Sequence, residues 1–202
     1  RGGVSSDTIN GGNGDDTITN AGKLAAVDLG SGTNKLTNTG TISGVVSGTG
    51  IDTVTNSGTI NDDLLLAGSS ATITNNGAIA GDILFVGGVN LLINNKMLDG
   101  SVTAMGAVTI RNAGTITDSI NLGAGSDLVQ NFVGSKHGIM LGEISLGEGN
   151  DTFQGGNFSE TVRDEDGVDT YTLGGGNDIF FANGPVPGEA DTVDGGAGID
   201  TY

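Results

Sequence analysis

Short stretches in which apolar and polar residues alternate recur along the chain at a nearly constant spacing. Segments such as "DTVTN" carry an apolar residue between two threonines, which is the period-two pattern of a β-strand. An asparagine closes each segment, and the steps from one such asparagine to the next are 18, 18, 19, 19, 18 and 19 residues. The series comprises Asn20, Asn38, Asn56, Asn75, Asn94, Asn112 and Asn131. The pattern predicts short strands separated by turns.

Apolar residues keep fixed positions relative to these asparagines. One lies two residues before each of them, in the set Ile18, Leu36, Val54, Ile73, Leu92, Ile110 and Val129. Another lies four residues after the first six, in the set Leu24, Ile42, Ile60, Ile79, Leu98 and Ile116. Because so short a unit cannot bury its own apolar residues, it must stack on its neighbours. We therefore expect an all-β fold: a right-handed parallel β-roll or β-solenoid with 18–19 residues per coil, forming a single elongated rod.

The repeat also predicts the dimensions and the corners of this rod. About eleven coils at about 4.8 Å each correspond to a length on the order of 50 Å. We expect the asparagines to stack as a ladder of amides at one corner, in a structural role. We expect glycines and asparagines to supply the positive-φ conformations that the corners require.

Composition agrees with a thin, regular core and narrows the choice of partners. The 202 residues include 39 Gly, six Phe and two Tyr, but no Cys or Trp. The net charge is −17, with 24 acidic and seven basic residues, which argues against nucleic acid and anionic membrane surfaces as partners. No stretch is long and apolar enough to span a bilayer. Such a charge is either solvated or neutralised by bound cations. The chain begins inside a repeat, at Arg1, so we expect it to be part of a longer protein.

A second repeat, nine residues long, carries acidic residues at both ends of the chain. Four consecutive units span 146–154, 155–163, 164–172 and 173–181. The acidic residues that follow the nine-residue step are Asp151, Glu160, Asp169 and Asp178, then Asp191 and Asp200 after an insertion, and Asp7 and Asp16 near the start. Because successive units alternate sides of an 18-residue coil, Asp151 is expected to lie beside Asp169, and Glu160 beside Asp178.

The nine-residue pattern Gly-Gly-x-Gly-x-Asp-x-apolar-x resembles the calcium-binding nonapeptide of RTX (hemolysin-type) proteins. Residues 11–19 match it at every position, whereas Ser5, Phe158 and Glu160 depart from it. The resemblance covers both ends and predicts three regions of one continuous solenoid: RTX-type nonapeptides in 1–19, coils with degenerate calcium loops in 20–121, and RTX-type nonapeptides with loop insertions in 122–202. The middle region, with "NTGTISG" (38–44) and "NSGTIND" (56–62), is similar to passenger repeats of autotransporter-like bacterial surface proteins.

The resemblance implies Ca²⁺ bound between two stacked loops on one side of the solenoid, so that Asp151 shares an ion with the Asp169 loop and Glu160 with the Asp178 loop. Glycines let the loop carbonyls point inward and the aspartate adds an anionic oxygen, while calcium takes six to eight oxygen ligands. The candidate ligands are the loop residues Gly147, Gly149, Gly174 and Gly176, with Asp7, Asp16, Asp127, Asp151, Glu160, Asp169, Asp178, Asp191 and Asp200.

Several other residues receive structural interpretations. Asp127 joins the series only if six residues near "GSKHGI" loop out, and His137 is expected to be exposed in that loop. Asp52 is interpreted as part of a plain turn and "RDEDG" (163–167) as a solvated acidic turn. The aromatic residues expected in the core or in stacking contacts are Phe153, Tyr171, Phe180 and Phe181.

The functional expectation is a non-enzymatic, calcium-stabilised segment of a secreted bacterial cell-surface protein, such as an adhesin, a surface-layer protein or a filament-forming protein. Its expected partners are calcium ions, further copies associating head to tail into a fibre or lattice, and a surface or carbohydrate ligand that the sequence does not identify. The alternative is a secretion and folding module of a larger secreted enzyme, such as a polysaccharide lyase or epimerase, a protease or a lipase. Ice binding is disfavoured because Lys23, Ala78 and Met97 interrupt the rank of threonines.

Overall fold

A computed structural model describes residues 7–182 and 190–202, and in these residues the chain winds as a parallel β-solenoid. Sheet 1 has ten parallel strands: β1 (Thr8–Asn10), β4 (Ala26–Asp28), β7 (Val46–Gly48), β10 (Leu64–Leu66), β13 (Ile83–Phe85), β16 (Val102–Ala104), β19 (Ile120–Asn121), β24 (Glu143–Ser145), β26 (Thr161–Arg163) and β28 (Ile179–Phe181). Sheet 2 also has ten: β2 (Thr17–Asn20), β5 (Thr33–Asn38), β8 (Ile51–Asn56), β11 (Ser70–Asn75), β14 (Asn90–Asn94), β17 (Val108–Asn112), β20 (Leu128–Gln130), β25 (Thr152–Gln154), β27 (Thr170–Thr172) and β29 (Thr192–Asp194).

The central coils have a third face that the sequence did not resolve as a separate sheet. Sheet 3 has seven strands: β3 (Lys23–Leu24), β6 (Thr41–Ile42), β9 (Thr59–Ile60), β12 (Ala78–Ile79), β15 (Met97–Leu98), β18 (Thr115–Ile116) and β23 (Ile139–Met140). A two-stranded antiparallel hairpin, β21 (Phe132–Val133) with β22 (Lys136–His137), interrupts the coil before β23. The predicted all-β solenoid, a single elongated body, is therefore confirmed.

Residues in register along the solenoid axis form the core. In sheet 2, Leu36 lies opposite Val54, which lies opposite Ile73, and the same column continues to Phe153 and Tyr171. All five side chains are fully buried. Each strand thus turns alternate residues inward, and the apolar residues that the repeat predicted fill one narrow core shared by successive coils.

The predicted ladder of asparagine amides is confirmed at the corner between sheets 2 and 3. Each amide nitrogen donates to the side-chain oxygen of the asparagine one coil further on, over 2.8–3.0 Å, through Asn20, Asn38, Asn56, Asn75, Asn94, Asn112 and Asn131. The same nitrogens also donate to backbone carbonyls of sheet 3, such as that of Thr41. All seven side chains are buried, so the ladder satisfies amides that would otherwise be costly inside the protein.

The predicted backbone conformation at this corner is wrong. No residue other than glycine has a positive φ in the described part of the chain, and the corner glycines such as Gly40 and Gly58 do not have one either. A methyl group at Gly40 would instead collide with the carbonyl oxygen of Gly22 in the preceding coil. Glycine is needed here because the coils approach closely, whereas positive φ is confined to other turns.

The inserted loop and the aromatic residues agree largely with the predictions. The hairpin β21–β22 accommodates the extra residues before Asp151, and His137 is exposed on it. Phe153, Tyr171 and Phe180 are buried as expected. Phe181 is 43% exposed and makes a stacking contact instead, since its ring lies 5.1 Å from the Arg163 guanidinium carbon. Residues 7–182 and 190–202 contain no helix with the length and hydropathy that a membrane crossing requires.

The ladder predicts that alanine substitutions at two adjacent asparagines differ strongly in their effect on the free energy of unfolding. Asn75→Ala removes a buried rung that donates to Asn94 and accepts from Asn56, so we expect the free energy of unfolding to fall by about 1–3 kcal/mol. Asn76→Ala alters an exposed neighbour and is expected to change it by less than about 0.5 kcal/mol. Urea denaturation of both variants measures these values, and equal losses would contradict a stabilising role for the ladder.

Candidate metal centre

Four aspartates stack at the entry to successive strands of sheet 2. Asp127, Asp151, Asp169 and Asp191 form this sheet 2 acidic column. The turns before Asp151 bend through Gly147 and Gly149, which have φ of 87° and 148°, so the predicted tight glycine loops are confirmed there. A methyl group at Gly149 would collide with the carbonyl oxygen of Gly125, which shows how closely adjacent loops stack.

Each carboxylate of this column uses one oxygen to hold the coil before it. The Oδ1 atom of Asp151 accepts the backbone N–H of Asp127 at 2.7 Å, and Oδ1 of Asp169 accepts that of Asp151 at 2.7 Å. Asp191 continues the column, at 3.0 Å from the Asp169 nitrogen. The predicted neighbours Asp151 and Asp169 therefore do lie together, and Asp127 joins them.

A second column stands at the entry to sheet 1. Glu160, Asp178 and Asp200 form this sheet 1 acidic column, in which Oδ1 of Asp178 accepts the Glu160 N–H at 2.8 Å and Oδ1 of Asp200 accepts the Asp178 N–H at 3.0 Å. The predicted pairing of Glu160 with Asp178 is confirmed. The glycines of the loop before Asp178, Gly174 and Gly176, have φ of 96° and 128°, as a tight loop requires.

Glu160 has a second contact that explains why it is not an aspartate. Its Oε1 accepts the amide nitrogen of Asn131 at 2.8 Å, so the last rung of the asparagine ladder donates to this carboxylate. The next position on that corner is Gly155, where a methyl group would approach Oε2 of Glu160 to 3.0 Å. The longer side chain thus takes the place of the missing next rung.

A third acidic group was missed by the sequence analysis. Asp164, in the segment predicted to be a solvated turn, is only 5% exposed and lies in the core. Carboxylate oxygens of Asp164, Asp169 and Asp191 all lie within 4.8 Å of one another. The buried hydroxyl of Tyr171 donates to Oδ2 of Asp169 at 3.2 Å. The prediction failed because Asp164 occupies the register position of a core residue, Leu146, and only the fold reveals this.

The remaining predicted ligands lie elsewhere on the rod. Asp16 stacks on Asn34, whose Oδ1 accepts the Asp16 N–H at 3.1 Å, and Asn34 in turn donates to Asp52 at 3.0 Å. Asp52 is 1% exposed, so its interpretation as a plain turn is wrong. Asp7 is exposed at the entry to β1. The insertion predicted before Asp191 falls mainly on 183–189, outside the described residues.

Burial makes these carboxylates electrostatically costly. Desolvation raises the pKa of Asp151 to about 7, of Glu160 to about 7 and of Asp127 to about 6. Burial likewise raises the pKa of Asp52, Asp169 and Asp178. Neighbouring charges add to this, since Asp127 and Asp169 both disfavour ionisation of Asp151. Near neutral pH the columns therefore require either protons or another source of positive charge.

The second oxygen of most of these carboxylates has no donor. Buried oxygens without a hydrogen-bond partner among the described residues include Oδ2 of Asp16, Asp52, Asp127, Asp151 and Asp178, and Oε2 of Glu160. Buried polar atoms in proteins are normally paired, and hard anionic oxygens are the preferred ligands of calcium. The residues present thus fit a bound divalent cation. Comparison with models of known families, with curated proteins and with solved structures finds no match to the chain.

The raised pKa values predict how stability depends on pH in the presence of a chelator. Between the pKa of an unfolded aspartate, about 4, and the folded pKa of about 7 for Asp151, the folded chain holds protons that the unfolded chain has released. The free energy of unfolding should therefore fall as pH rises from about 5 to 7.5. Urea denaturation in chelator measures this slope. Asp151→Asn should reduce the slope and Asp118→Asn, in an exposed turn, should not. Stability that rises with pH would contradict the assignment.

The contact between Glu160 and Asn131 predicts opposite effects for two conservative variants. Glu160→Gln keeps an oxygen for Asn131 and removes the buried charge, so stability in chelator at pH 7.5 should equal or exceed that of the wild type. Glu160→Asp is one methylene too short and should lose about 1–3 kcal/mol, because the Asn131 donor is left unpaired. Urea denaturation separates them. The reverse order would show that Glu160 does not terminate the ladder.

Proposed function

We propose that this chain is a calcium-stabilised β-solenoid rod that serves as a non-enzymatic structural segment of a secreted bacterial surface protein. The observation that carries the proposal is the set of buried carboxylate oxygens without donors in the acidic columns. A structural role also agrees with the fold, in which the strands of the three parallel sheets pair with the corresponding strands of neighbouring coils. Secretion and a surface location rest on the resemblance to RTX repeats in the sequence.

The energetic argument compares repulsion with neutralisation. Carboxylates in adjacent strands, about 4.8 Å apart, repel each other by about 3 kcal/mol at an effective dielectric constant of 20. Several such pairs follow one another from Asp127 to Asp191. Protons can relieve this repulsion below the pKa of about 7 for Asp151 but not well above it. A divalent cation neutralises two carboxylates at once and supplies the partner that their second oxygens lack.

Calcium then acts on stability by binding only the stacked coils. The unfolded chain does not hold carboxylates of successive coils together, so the free energy of binding adds to the free energy of folding. Asp164, Asp169 and Asp191 offer the most convergent carboxylate oxygens among the described residues, and Asp151 and Asp178 offer unpartnered ones. The ligands of any one ion would thus come from at least two coils.

The test is a calcium titration followed by circular dichroism and thermal unfolding, with magnesium as the control ion. At 100 times its dissociation constant calcium adds about 2.7 kcal/mol, which corresponds to a rise in Tm of about 5–10 °C. Asp151→Asn and Asp178→Asn lose a charge while keeping the Oδ1 acceptor, so they should be more stable than the wild type in chelator yet gain less from calcium.

Asp118→Asn removes the same charge from an exposed turn and serves as the matched control, with an unchanged response to calcium. A wild-type protein that is fully folded in chelator, and whose Tm does not change in millimolar calcium, would overturn the proposal.

A further inference from the structure

A groove on the corner between sheets 2 and 3 carries a concentration of positive charge in an otherwise acidic protein. Its main part has a volume of about 490 Å³ and adjoins a second depression of about 370 Å³, and both are lined by Asn76, Asn95 and Lys96. Lys136 lines the second depression. The groove therefore contains two of the seven basic residues of the chain, and none of its lining residues is acidic.

Lys96 breaks the repeat at a position where glycine is structurally favoured. The corresponding residues of the flanking coils are Gly77 and Gly114, and a methyl group at either would collide with a backbone carbonyl oxygen of the preceding coil. The hydrogen bond from Met97 N to Gly77 O is 3.3 Å long, whereas the equivalent bonds of the other coils measure 2.7–2.9 Å. A lysine thus occupies a glycine position at a local cost, and breaks of a local rule are expected at functional or strained sites.

Lys136 reaches the same groove through a different break in the repeat. The hairpin β21–β22 is an insertion into the solenoid coil, and it places Lys136 beside Asn95 and Lys96. The ion pair found in the described residues joins Arg163 to Glu143, so neither lysine is paired there. Two independent departures from the repeat therefore bring unpaired ammonium groups to one groove.

The other lining groups suit hydroxyl groups and a sugar ring. The Asn95 amide donates to Oδ1 of Asn76 at 2.8 Å, which leaves the Asn76 amide N–H groups and the Asn95 oxygen without partners in the described residues. Met97, 42% exposed, adds an apolar surface to the groove. Asn76, Asn95 and Ala113 belong to three successive coils, about 4.8 Å apart. This periodicity is comparable with the length of one pyranose unit, and the volume lies in the range of small-ligand sites.

We propose that this groove binds a carboxylate-bearing oligosaccharide along the solenoid axis, with Lys96 and Lys136 pairing with carboxylates and Asn76 and Asn95 with hydroxyl groups. The inference goes beyond the calcium-dependent stability proposed above and does not depend on it, because the groove contains no residue of the acidic columns. The ligand must carry both carboxylates and hydroxyl groups. A neutral sugar would leave the two lysines unpaired, and a small anion would leave the two asparagines without a hydroxyl partner.

The test is isothermal titration of the wild-type protein with a hexagalacturonate oligosaccharide at constant calcium. Maltohexaose serves as the neutral comparison and sodium acetate as the anion alone. Lys96→Gly restores the glycine of the repeat and should leave the protein at least as stable as the wild type, so that a loss of binding cannot arise from misfolding. We expect Lys96→Gly and Lys136→Gln each to weaken binding about tenfold. Lys35→Gln, on exposed sheet 2 surface, should leave binding unchanged.

The controls separate this proposal from the calcium proposal. All three lysine variants should show the same rise in Tm with calcium as the wild type, whether or not their affinity for the oligosaccharide changes. Affinity for hexagalacturonate should fall with added salt, as pairing of exposed charges requires. Equal affinities for Lys96→Gly and Lys35→Gln, equal affinities for hexagalacturonate and maltohexaose, or no saturable binding at millimolar sugar would each overturn the proposal.

Discussion

The structure depends on polar side chains that stack in register inside a solenoid. Because the strands are parallel and the register is fixed, a buried polar group meets the residue at the same position of the neighbouring coil. At the corner between sheets 2 and 3 the stacked groups are amides, each of which donates to the next and accepts from the previous one. In the C-terminal coils they are carboxylates, which accept hydrogen bonds and donate none when ionised. The stacked amides thus satisfy one another's hydrogen bonds, whereas most of the stacked carboxylates keep an oxygen without a donor.

The two kinds of column meet at Glu160. The ladder is polar, since all its amides donate toward the C-terminal end, and Asn131 presents the last donor to the Glu160 carboxylate. Glu160 also begins the sheet 1 acidic column through its bond to Asp178. It therefore joins the three-sided part of the rod, which carries the amide ladder, to the part with the acidic columns, in which sheet 3 has ended at Met140. The stability of the rod is expected to differ on the two sides of this joint.

Much of the fold and of the acidic columns could be predicted from the sequence, because the repeat spacing determines which residues stack on each other. The spacing of Asn20 to Asn131 predicted the ladder, and the nine-residue step predicted that Asp151 lies beside Asp169. Asp164 was missed because it departs from the repeat: it occupies a core position that is Leu146 one coil earlier. Asp52 was misjudged although it keeps the repeat, since it lies in register with Asn34 and is buried. The repeat does not predict the environment of a residue that departs from it. That environment is seen only in the fold.

Hydrogen exchange measured by mass spectrometry, with and without calcium, tests most directly whether the buried carboxylates need a cation. The amide-stacked strands β11 to β17 should keep the same protection in chelator and in calcium. The strands β25 to β28, which carry the acidic columns, should lose protection in chelator by at least about tenfold, a change in opening free energy of about 1.4 kcal/mol. Equal protection of β25 to β28 in the two conditions would contradict the account.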